Sequence, residues 1–502
     1  MMSKDSPQRA AGIGQKALEG TFWSYGAFIT GKAMVFISTV ILAYLLTKED
    51  YGVAGYALVT ISFLDVLRDL GIGSALIYHR DSPTARETAF WIGLGISIAL
   101  FAATWLISPL IGLWFKDPRA IDVTRVLAIN FPLTALGNIH DTLMSKELQF
   151  KRKFIPEFAR SISKGLISII LAAVGFGPWS LIFGQLGGTL VSVIIFWTVL
   201  DWRPNLKFER ALVRPFLSYG SNMVAVDIIA AIRNNTDYLL VGRALGTAAL
   251  GIYTFAFRVP DLIIMQFVSI ISRVIFPVYS QIRDDVQAFK KGFIATTRYV
   301  SMITVPLGLG LALVAQPFVL VLFTDKWIEA VPVIRAISIY AMLLSLSFNA
   351  GDVYKAQGKP SVLAKIQLVE LLFVIPLLTW AVLGIGTITA VGWAQVVIAL
   401  LSGILELAVA SRMISTPFWE IIAALRPAAA GGVAMALAVL AGLTLTAGAG
   451  PLIQLLANIL LGAAAYGGTL FLFSRAELQE AVHILKQAAN RKGSKPAEEV
   501  NL

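Results

Sequence analysis

Apolar runs of bilayer-crossing length recur along the chain, separated by short polar or Gly/Pro-rich links. A membrane helix needs about 20 predominantly apolar residues. On that requirement the pattern predicts fourteen spans, at about 21–46, 52–77, 88–115, 120–145, 154–176, 178–200, 213–238, 246–272, 293–323, 330–354, 361–384, 388–411, 422–446 and 452–474. Spans 4, 5 and 7 are the most polar of them. The apolar core of a cleaved signal runs only about 7 to 15 residues. The longer first span, with no Ala-x-Ala site after it, therefore reads as a retained helix.

The links Gly175-Phe176-Gly177-Pro178, Gly384-Ile385-Gly386-Thr387 and Ala447-Gly448-Ala449-Gly450-Pro451 are predicted tight turns. Beyond Ser474, Ala476 to Lys486 has the spacing of an amphipathic helix lying on a membrane face, with His483 a solvated surface residue. An internal repeat organises the remainder. Tyr25-Gly26 at the start of span 1 recurs as Tyr219-Gly220 at the start of span 7, and the stretch Leu45 to Val53 is echoed by Ala244 to Ile252. Six spans separate the copies, so they share one orientation and imply a pseudo-two-fold axis along the membrane normal. The predicted fold is all-α and polytopic. It comprises a cytoplasmic segment 1–20, an N-lobe 21–200 of six spans, a linker 201–212, a C-lobe 213–412 of six spans, two extra spans within 413–474, and a cytoplasmic amphipathic helix and tail 475–502.

Composition narrows the class. Hydrophobic residues make up 57% of the 502 and charged ones 14%, with a mean hydropathy of +0.76, which excludes a soluble enzyme domain. Cys 0 removes disulfides and thiolate chemistry, and the 3 histidines (His79, His140, His483) are too scattered for a zinc site. No metal and no cofactor are expected. The net charge of +11 has a topological explanation. With the N-terminus in the cytoplasm, inside links hold clusters such as Lys151-Arg152-Lys153 and Arg203, Lys207, Arg210 and Arg214, whereas the outside links hold Lys48, Lys116, Arg119, Arg125, Arg243, Lys326 and Arg335. That bias puts both termini inside and attracts anionic phospholipid headgroups, with no need of nucleic acid.

Against this background the basic residues within the spans stand out: Lys32, Arg68, Arg160, Lys164, Arg233 and Arg258, with Arg273 near an interface. A central Arg or Lys costs roughly 2.5 to 3.5 kcal/mol on insertion scales unless it meets water, a counter-ion or an anionic ligand. Asp65, Arg68 and Asp69 are spaced to share a helix face, as are Arg233 with Asp237 and Arg258 with Asp261. For these, ion pairing and ligand contact are equally open. Lys32 has no acidic neighbour at helical spacing, and Arg160 and Lys164 are like charges one turn apart with only Glu157 near by. Asp227, Asn234, Asn235, Thr236, Asn130, His140, Asp141 and Gln185 add donors and acceptors suited to sugar hydroxyls, or to bonds between helices. Glu370 and Glu406 are isolated carboxyls open to ion coupling or interhelical bonding. Pro132, Pro260, Pro306 and Pro376 are candidate bends.

The stretches Leu45-Leu46-Thr47-Lys48-Glu49-Asp50-Tyr51-Gly52 and Asp69-Leu70-Gly71-Ile72-Gly73-Ser74-Ala75-Leu76-Ile77, and later Asn235-Thr236-Asp237-Tyr238-Leu239-Leu240-Val241-Gly242-Arg243-Ala244-Leu245-Gly246, resemble the polysaccharide transporters of the multidrug, oligosaccharidyl-lipid and polysaccharide exporter superfamily. Leu250-Gly251-Ile252-Tyr253 and Phe276-Pro277 extend the resemblance, which covers essentially the whole chain. Family members often carry Arg where this chain has Tyr44, whereas the second copy keeps Arg243. The resemblance implies a flippase, without covalent chemistry, for undecaprenyl-diphosphate-linked oligosaccharides. Its place would be the bacterial inner membrane, in exopolysaccharide, capsule or O-antigen assembly, with a polysaccharide polymerase and export machinery as further partners. On that reading Lys32, Arg68, Arg160, Lys164, Arg233, Asn234, Asn235 and Arg258 would meet diphosphate and sugars, while Asp65, Asp69, Asp227, Asp237 and Asp261 would serve ion coupling or ion pairs. A lipid II flippase or multidrug/cation antiporter of the same superfamily is the alternative, though an antiporter would hold fewer buried cations. A membrane polymerase or ligase would need a sizeable outward loop, and the sequence has short links there.

Overall fold

The computed structural model describes residues 31–69, 72–73, 76, 83–147, 149–473 and 475. The segment 1–20, the first ten residues of span 1, His79 and the amphipathic tail lie outside the described residues, as do the side chains of Asp69 and Arg273. The described chain is helical throughout. Its elements are α1 (Gly31–Leu45), α2 (Lys48–Asp69), α3 (Pro83–Phe115), α4 (Arg119–Leu127), α5 (Asn130–Lys146), α6 (Phe150–Ala173), α7 (Trp179–Val199), α8 (Arg210–Ala244) and α9 (Thr247–Pro260). A π-helical turn (Asp261–Met265) leads to α10 (Gln266–Gln281), α11 (Val286–Leu313), α12 (Ala315–Leu322), α13 (Val331–Ala356) and α14 (Pro360–Thr379). A second π-helical turn (Trp380–Ile385) precedes α15 (Ile388–Met413), α16 (Phe418–Ala424), α17 (Arg426–Leu445) and α18 (Pro451–Phe473).

Ten helical stretches among the described residues are long and apolar enough to cross a membrane, or eleven if α11 and α12 form one span bent by 73°. The remaining three predicted spans correspond to α1, which starts where the described residues start, and to α6 and α8, which are long enough at 24 and 35 residues but carry the internal charges. The protein is thus an all-α polytopic membrane protein. Large side chains such as Leu106, Leu445 and Leu472 stand 82%, 84% and 74% exposed on helix surfaces, as lipid contact requires.

The sequence explains the local joints. Thr47 caps α2: its backbone N–H and hydroxyl both donate to Asp50 Oδ2 at 2.8 Å, while the Asp50 N–H donates back to Thr47 Oγ1 at 3.1 Å. This reciprocal box satisfies helix-end donors that hydrocarbon cannot. In the second repeat the turn is made by Gly246, at a φ of 87° that only glycine adopts without strain. Pro260 and Pro376 lie just ahead of the two π-helical turns, where the missing N–H loosens the backbone ladder. Pro132 lies in the first turn of α5 and breaks no internal bond, and Pro306 is inside α11, whose end bend comes later, at Val314.

Two compact units emerge. One joins the chain up to Arg258 with Gln367–Ala394, and the other joins Val259–Ile366 with the chain from Gln395 onward. In the first, α2, α4, α5 and α7 close a core around Val53, Ile61, Leu127, Phe131 and Ile182. In the second, α17 and α18 pack on α11, and the buried Tyr466 hydroxyl donates to the Met302 carbonyl at 2.8 Å.

Candidate functional site

A cavity of about 190 Å³ opens within the first unit, walled by α1, α2, α6, α7 and α9. Among the described residues two cations reach it, Lys164 from α6 and Arg258 from α9, and no carboxylate lines it. Lys32 and Arg160 are close enough to Lys164 to repel its charge, so four of the basic residues picked out by sequence gather here. No described carboxylate lies within ion-pair distance of Lys164, Arg160 or Arg258. Hydroxyl groups and an amide complete the polar wall: Ser38, Thr39, Ser161, Ser168, Thr254 and Gln185. Ser38 and Thr39 donate to carbonyls one turn back on their own helix, which leaves oxygen lone pairs facing outward. Thr254 Oγ1 is buried with no hydrogen-bond partner among the described residues.

Small residues put these groups in place. A methyl on Gly165 would lie 2.2 Å from Ser38 Oγ, so α6 packs closely on α1 with Gly165 against the Ser38 side chain. On the other side, Gly184 abuts Ser168, and a Cβ on Gly188 would be 2.8 Å from both the Arg160 carbonyl and Lys164 Cβ. Close seams of this kind give membrane helices their packing energy. They hold α6 between its neighbours with Ser161, Lys164, Gly165 and Ser168 on one face toward the cavity.

The other sequence-selected groups are placed differently. Arg68 Nε lies 3.5 Å from Asp65 Oδ1, and Arg68 lines a pocket of about 10 Å³ with Ser97 and Asn138. Arg160 is within electrostatic reach of both Asp65 and Arg68. Arg233 pairs with Glu370 of α14 at 2.5 Å and also donates to the exposed Asn234 at 3.2 Å. Asn235 accepts from Ser62 Oγ at 3.1 Å, which ties α8 to α2. Asp237 is buried and accepts the Tyr253 hydroxyl at 2.7 Å. Asp227 is exposed on α8, and Asp261, in the second unit, accepts from Gln266 at 3.2 Å. His140 is fully buried and stacked on Trp197, Asp141 pairs with Lys153 at 2.9 Å, and Asn130 bonds Thr189 at 2.9 Å. Of that polar group Gln185 reaches the cavity.

One feature of the first unit comes directly from the repeat. Gly52 and Gly251 are equivalent positions in the two copies. A Cβ on Gly52 would lie 1.9 Å from the Thr247 carbonyl, and a Cβ on Gly251 1.8 Å from the carbonyl of Lys48, which is Thr247's equivalent. The two helix starts therefore cross reciprocally, and the local pseudo-two-fold passes between them. Beside the crossing, Tyr56 Oη and Thr247 Oγ1 are 2.8 Å apart, Thr247 donates to Asp117 Oδ2 at 3.1 Å, and Arg119 binds the same carboxylate at 2.7 Å. The Arg119 guanidinium, aided by its backbone N–H and by Thr247, holds the Asp117 carboxyl below the usual range. Arg243 caps the end of α3, donating to the carbonyls of Leu113 and Trp114 with its guanidinium 5.3 Å from the Trp114 ring centre.

A cavity of this kind, cationic and lined with hydroxyls inside apolar helices, can take an anionic, sugar-like group out of water. Known proteins share the sequence pattern and the fold of this chain. The lipopolysaccharide biosynthesis protein WzxC of Escherichia coli (strain K12) is 27% identical over 365 residues, covering 72% of this chain and 74% of WzxC. The teichuronic acid biosynthesis protein TuaB of Bacillus subtilis (strain 168) is 24% identical over 395 residues, 78% of this chain and 81% of TuaB. In fold, the chain matches the lipid II flippase MurJ in its inward closed conformation with a TM-score of 0.75, at 14% identity over 92% of this chain and 100% of MurJ. The family model described as polysaccharide biosynthesis protein matches residues 41–332, and the chain belongs to that family.

Proposed function

We propose that the protein is a flippase that carries undecaprenyl-diphosphate-linked oligosaccharide repeat units across the bacterial inner membrane, for exopolysaccharide, capsule or O-antigen assembly. The observation that carries the reading is the pair Lys164 and Arg258 at one cavity that no carboxylate among the described residues lines. Two cations in apolar helices with no counter-charge among the described residues call for an anion, and a diphosphate answers with charge-assisted hydrogen bonds. At about 190 Å³ the cavity is smaller than the roughly 300 to 1,000 Å³ of ordinary ligand pockets. It suits the diphosphate, with the sugars held by the polar groups around it and the polyprenyl chain left in lipid. The repeat supports alternating access of two six-span lobes, with both termini in the cytoplasm and no covalent step. A polysaccharide polymerase and the export machinery would receive the product.

The test is reconstitution in liposomes with a fluorescent undecaprenyl-diphosphate oligosaccharide. Lys164→Ala and Arg258→Ala should each insert normally and lose about 10- to 100-fold in translocation rate, as expected for one hydrogen bond to a charged group. Undiminished rates in both would remove the pair from the site. A wild-type protein that moves no lipid-linked oligosaccharide would overturn the reading.

A further inference from the structure

Towards the end of α3 the chain reads Trp105-Leu106-Ile107-Ser108-Pro109. Pro109 has no N–H to give the Trp105 carbonyl one turn back, and hydrocarbon offers no substitute. The Ser108 hydroxyl takes that place, donating to the Trp105 carbonyl at 2.8 Å. With its hydrogen so committed, the Ser108 oxygen accepts from Arg125 Nε of α4 at 2.7 Å. The Arg125 guanidinium lies 4.7 Å from the centre of the Trp105 ring, and the Phe101 ring stands 6.4 Å behind it. A hydroxyl at Nε and an aromatic face at the guanidinium carbon thus fix the plane of the fork.

The terminal nitrogens are left over. Neither Nη has a hydrogen-bond acceptor among the described residues, and neither is enclosed. Asp122, one turn back on α4, is exposed and outside ion-pair distance. Arg125 is six residues into α4 from Arg119, and Ser108 is seven residues back from Phe115. At 1.5 Å per residue both lie about 10 Å along their helices from the joining turn, which carries Lys116 and Asp117. A charged turn belongs in the headgroup layer, about 5 to 8 Å thick on each side of the hydrocarbon. Arg125 then sits where lipid phosphates meet acyl chains, the level at which Trp is enriched. Trp105 is 47% exposed, and Leu106 and Leu110 on α3 and Ile129, one turn from Arg125, are exposed as well.

A guanidinium held among lipid-facing groups at that depth calls for an anion at the same depth. The anion of that layer is the phosphate of a lipid headgroup, and two Nη groups match two oxygens of one phosphate. We propose that Arg125, positioned by Ser108 and Trp105, is a binding site for the phosphate of a membrane lipid on the lipid-facing side of the first unit. Arg125 does not line the cavity of Lys164 and Arg258, so this is a second anion site. Anionic glycerophospholipids and polyprenyl diphosphates both carry the required group. Placing the site in the outer leaflet rests on the orientation of the flippase reading; the binding does not.

The chain has Cys 0, so Ile129→Cys supplies a single thiol for a fluorophore one turn from Arg125. The labelled full chain is reconstituted in phosphatidylcholine liposomes with a small fraction of either phosphatidylglycerol or diacylglycerol, each bearing a nitroxide on an acyl chain. The first carries the phosphate and the second lacks it. Quenching should show phosphatidylglycerol enriched about fivefold over diacylglycerol at the label. Arg125→Met should bring that ratio to about one. Arg125→Lys, which keeps charge without the fork, and Ser108→Ala, which frees the arginine, should fall between. Should Arg125→Met fail to insert, those two variants carry the same comparison. Unlabelled undecaprenyl diphosphate separates the sources: relief of quenching assigns the site to the polyprenyl carrier, and quenching that persists assigns it to glycerophospholipid. Equal enrichment of the two nitroxide lipids around Arg125, or an enrichment that all the variants leave intact, would overturn the site. An arginine that served only as a strut between α3 and α4 would move the unfolding temperature and leave the lipid ratio at one. No translocation is measured, so failure here and failure of the flippase reading are separate results.

Discussion

Arg233 Nε lies 2.5 Å from Glu370 Oε2, an ion pair between α8 and α14 in which the glutamate side chain is wholly buried and the arginine 13% exposed. Glu370 is the one acidic residue of α14, and Arg233 reaches it from α8. Together they form a neutral pair, which lowers the cost of placing either in hydrocarbon. Glu370 Oε1 has no hydrogen-bond partner among the described residues, so the carboxylate depends on Arg233 for compensation.

That dependence predicts strong non-additivity. Removing one member of a buried pair strands the other charge, at about 3 to 5 kcal/mol, whereas replacing both with apolar residues is often neutral or stabilising. Arg233→Met and Glu370→Leu should each lower the unfolding midpoint in micelles, and the double variant should recover most of the loss in a double-mutant cycle. Simple addition of the two single losses would show that the pair is not a unit. Translocation by a well-folded double variant then assigns Arg233 to structure, and its loss assigns Arg233 to substrate.

The cationic cavity can be tested by restoring charge. The chain contains Cys 0, so Lys164→Cys has one thiol and reacts at one place. The variant should be about 10- to 100-fold slow in translocation. Modification with an ethylammonium thiosulfonate should recover much of the rate, while the sulfonatoethyl reagent, of similar size and opposite charge, should not. Equal effects of the two reagents would mean that volume rather than charge matters at Lys164.

Much of this arrangement was legible in the sequence, and the reason it was only partly so is physical. The apolar runs marked the ten or eleven spans seen among the described residues because a bilayer imposes a length on each helix, and α6 and α8 reach that length despite their charges. Ser161, Lys164, Gly165 and Ser168 follow the spacing of one helix face, as do Val35, Ser38, Thr39 and Leu42, and both stripes line the cavity. Those hydroxyls could have been picked out by that periodicity beside Lys164, since a polar stripe in an apolar helix must face something other than lipid. The partner of Arg233 could not. Local spacing pointed to Asp237, whereas Glu370 comes from a helix far along the chain, and no sequence period links the two.

The glycine crossing makes a second prediction on stability. Alanine at Gly52 or Gly251 would place Cβ within 1.9 Å or 1.8 Å of a backbone carbonyl, which no rotamer change can relieve. Each substitution should cost about 1 to 3 kcal/mol, the usual range for overpacking, read as a fall in unfolding temperature. Gly93 and Gly95 of α3 have open space at the same test, so Gly93→Ala and Gly95→Ala serve as controls with little effect or a small gain in helix propensity. Equal behaviour of the two pairs would remove the crossing from the list of tight contacts.

The network beside the crossing should give stability a defined pH dependence. Asp117 is outside the spans, and its carboxyl is held below the usual range chiefly by the Arg119 side chain, then by the Arg119 N–H and Thr247. A carboxyl depressed in the folded state contributes stability that is fully present above its unfolded value, about 3.9, and is lost as pH falls through the lower folded value. The wild type should therefore exceed Asp117→Asn in stability from neutral pH down to about pH 4, and the gap should close on further acidification. Because the Arg119 side chain is 56% exposed, solvent screening keeps the gap to about 1 kcal/mol or less. Thermal unfolding of the two proteins across that range checks both the sign and the window. A gap that persists unchanged into acid would mean that Asp117 acts by packing or by neutral hydrogen bonds, since its charge would then contribute nothing to the fold.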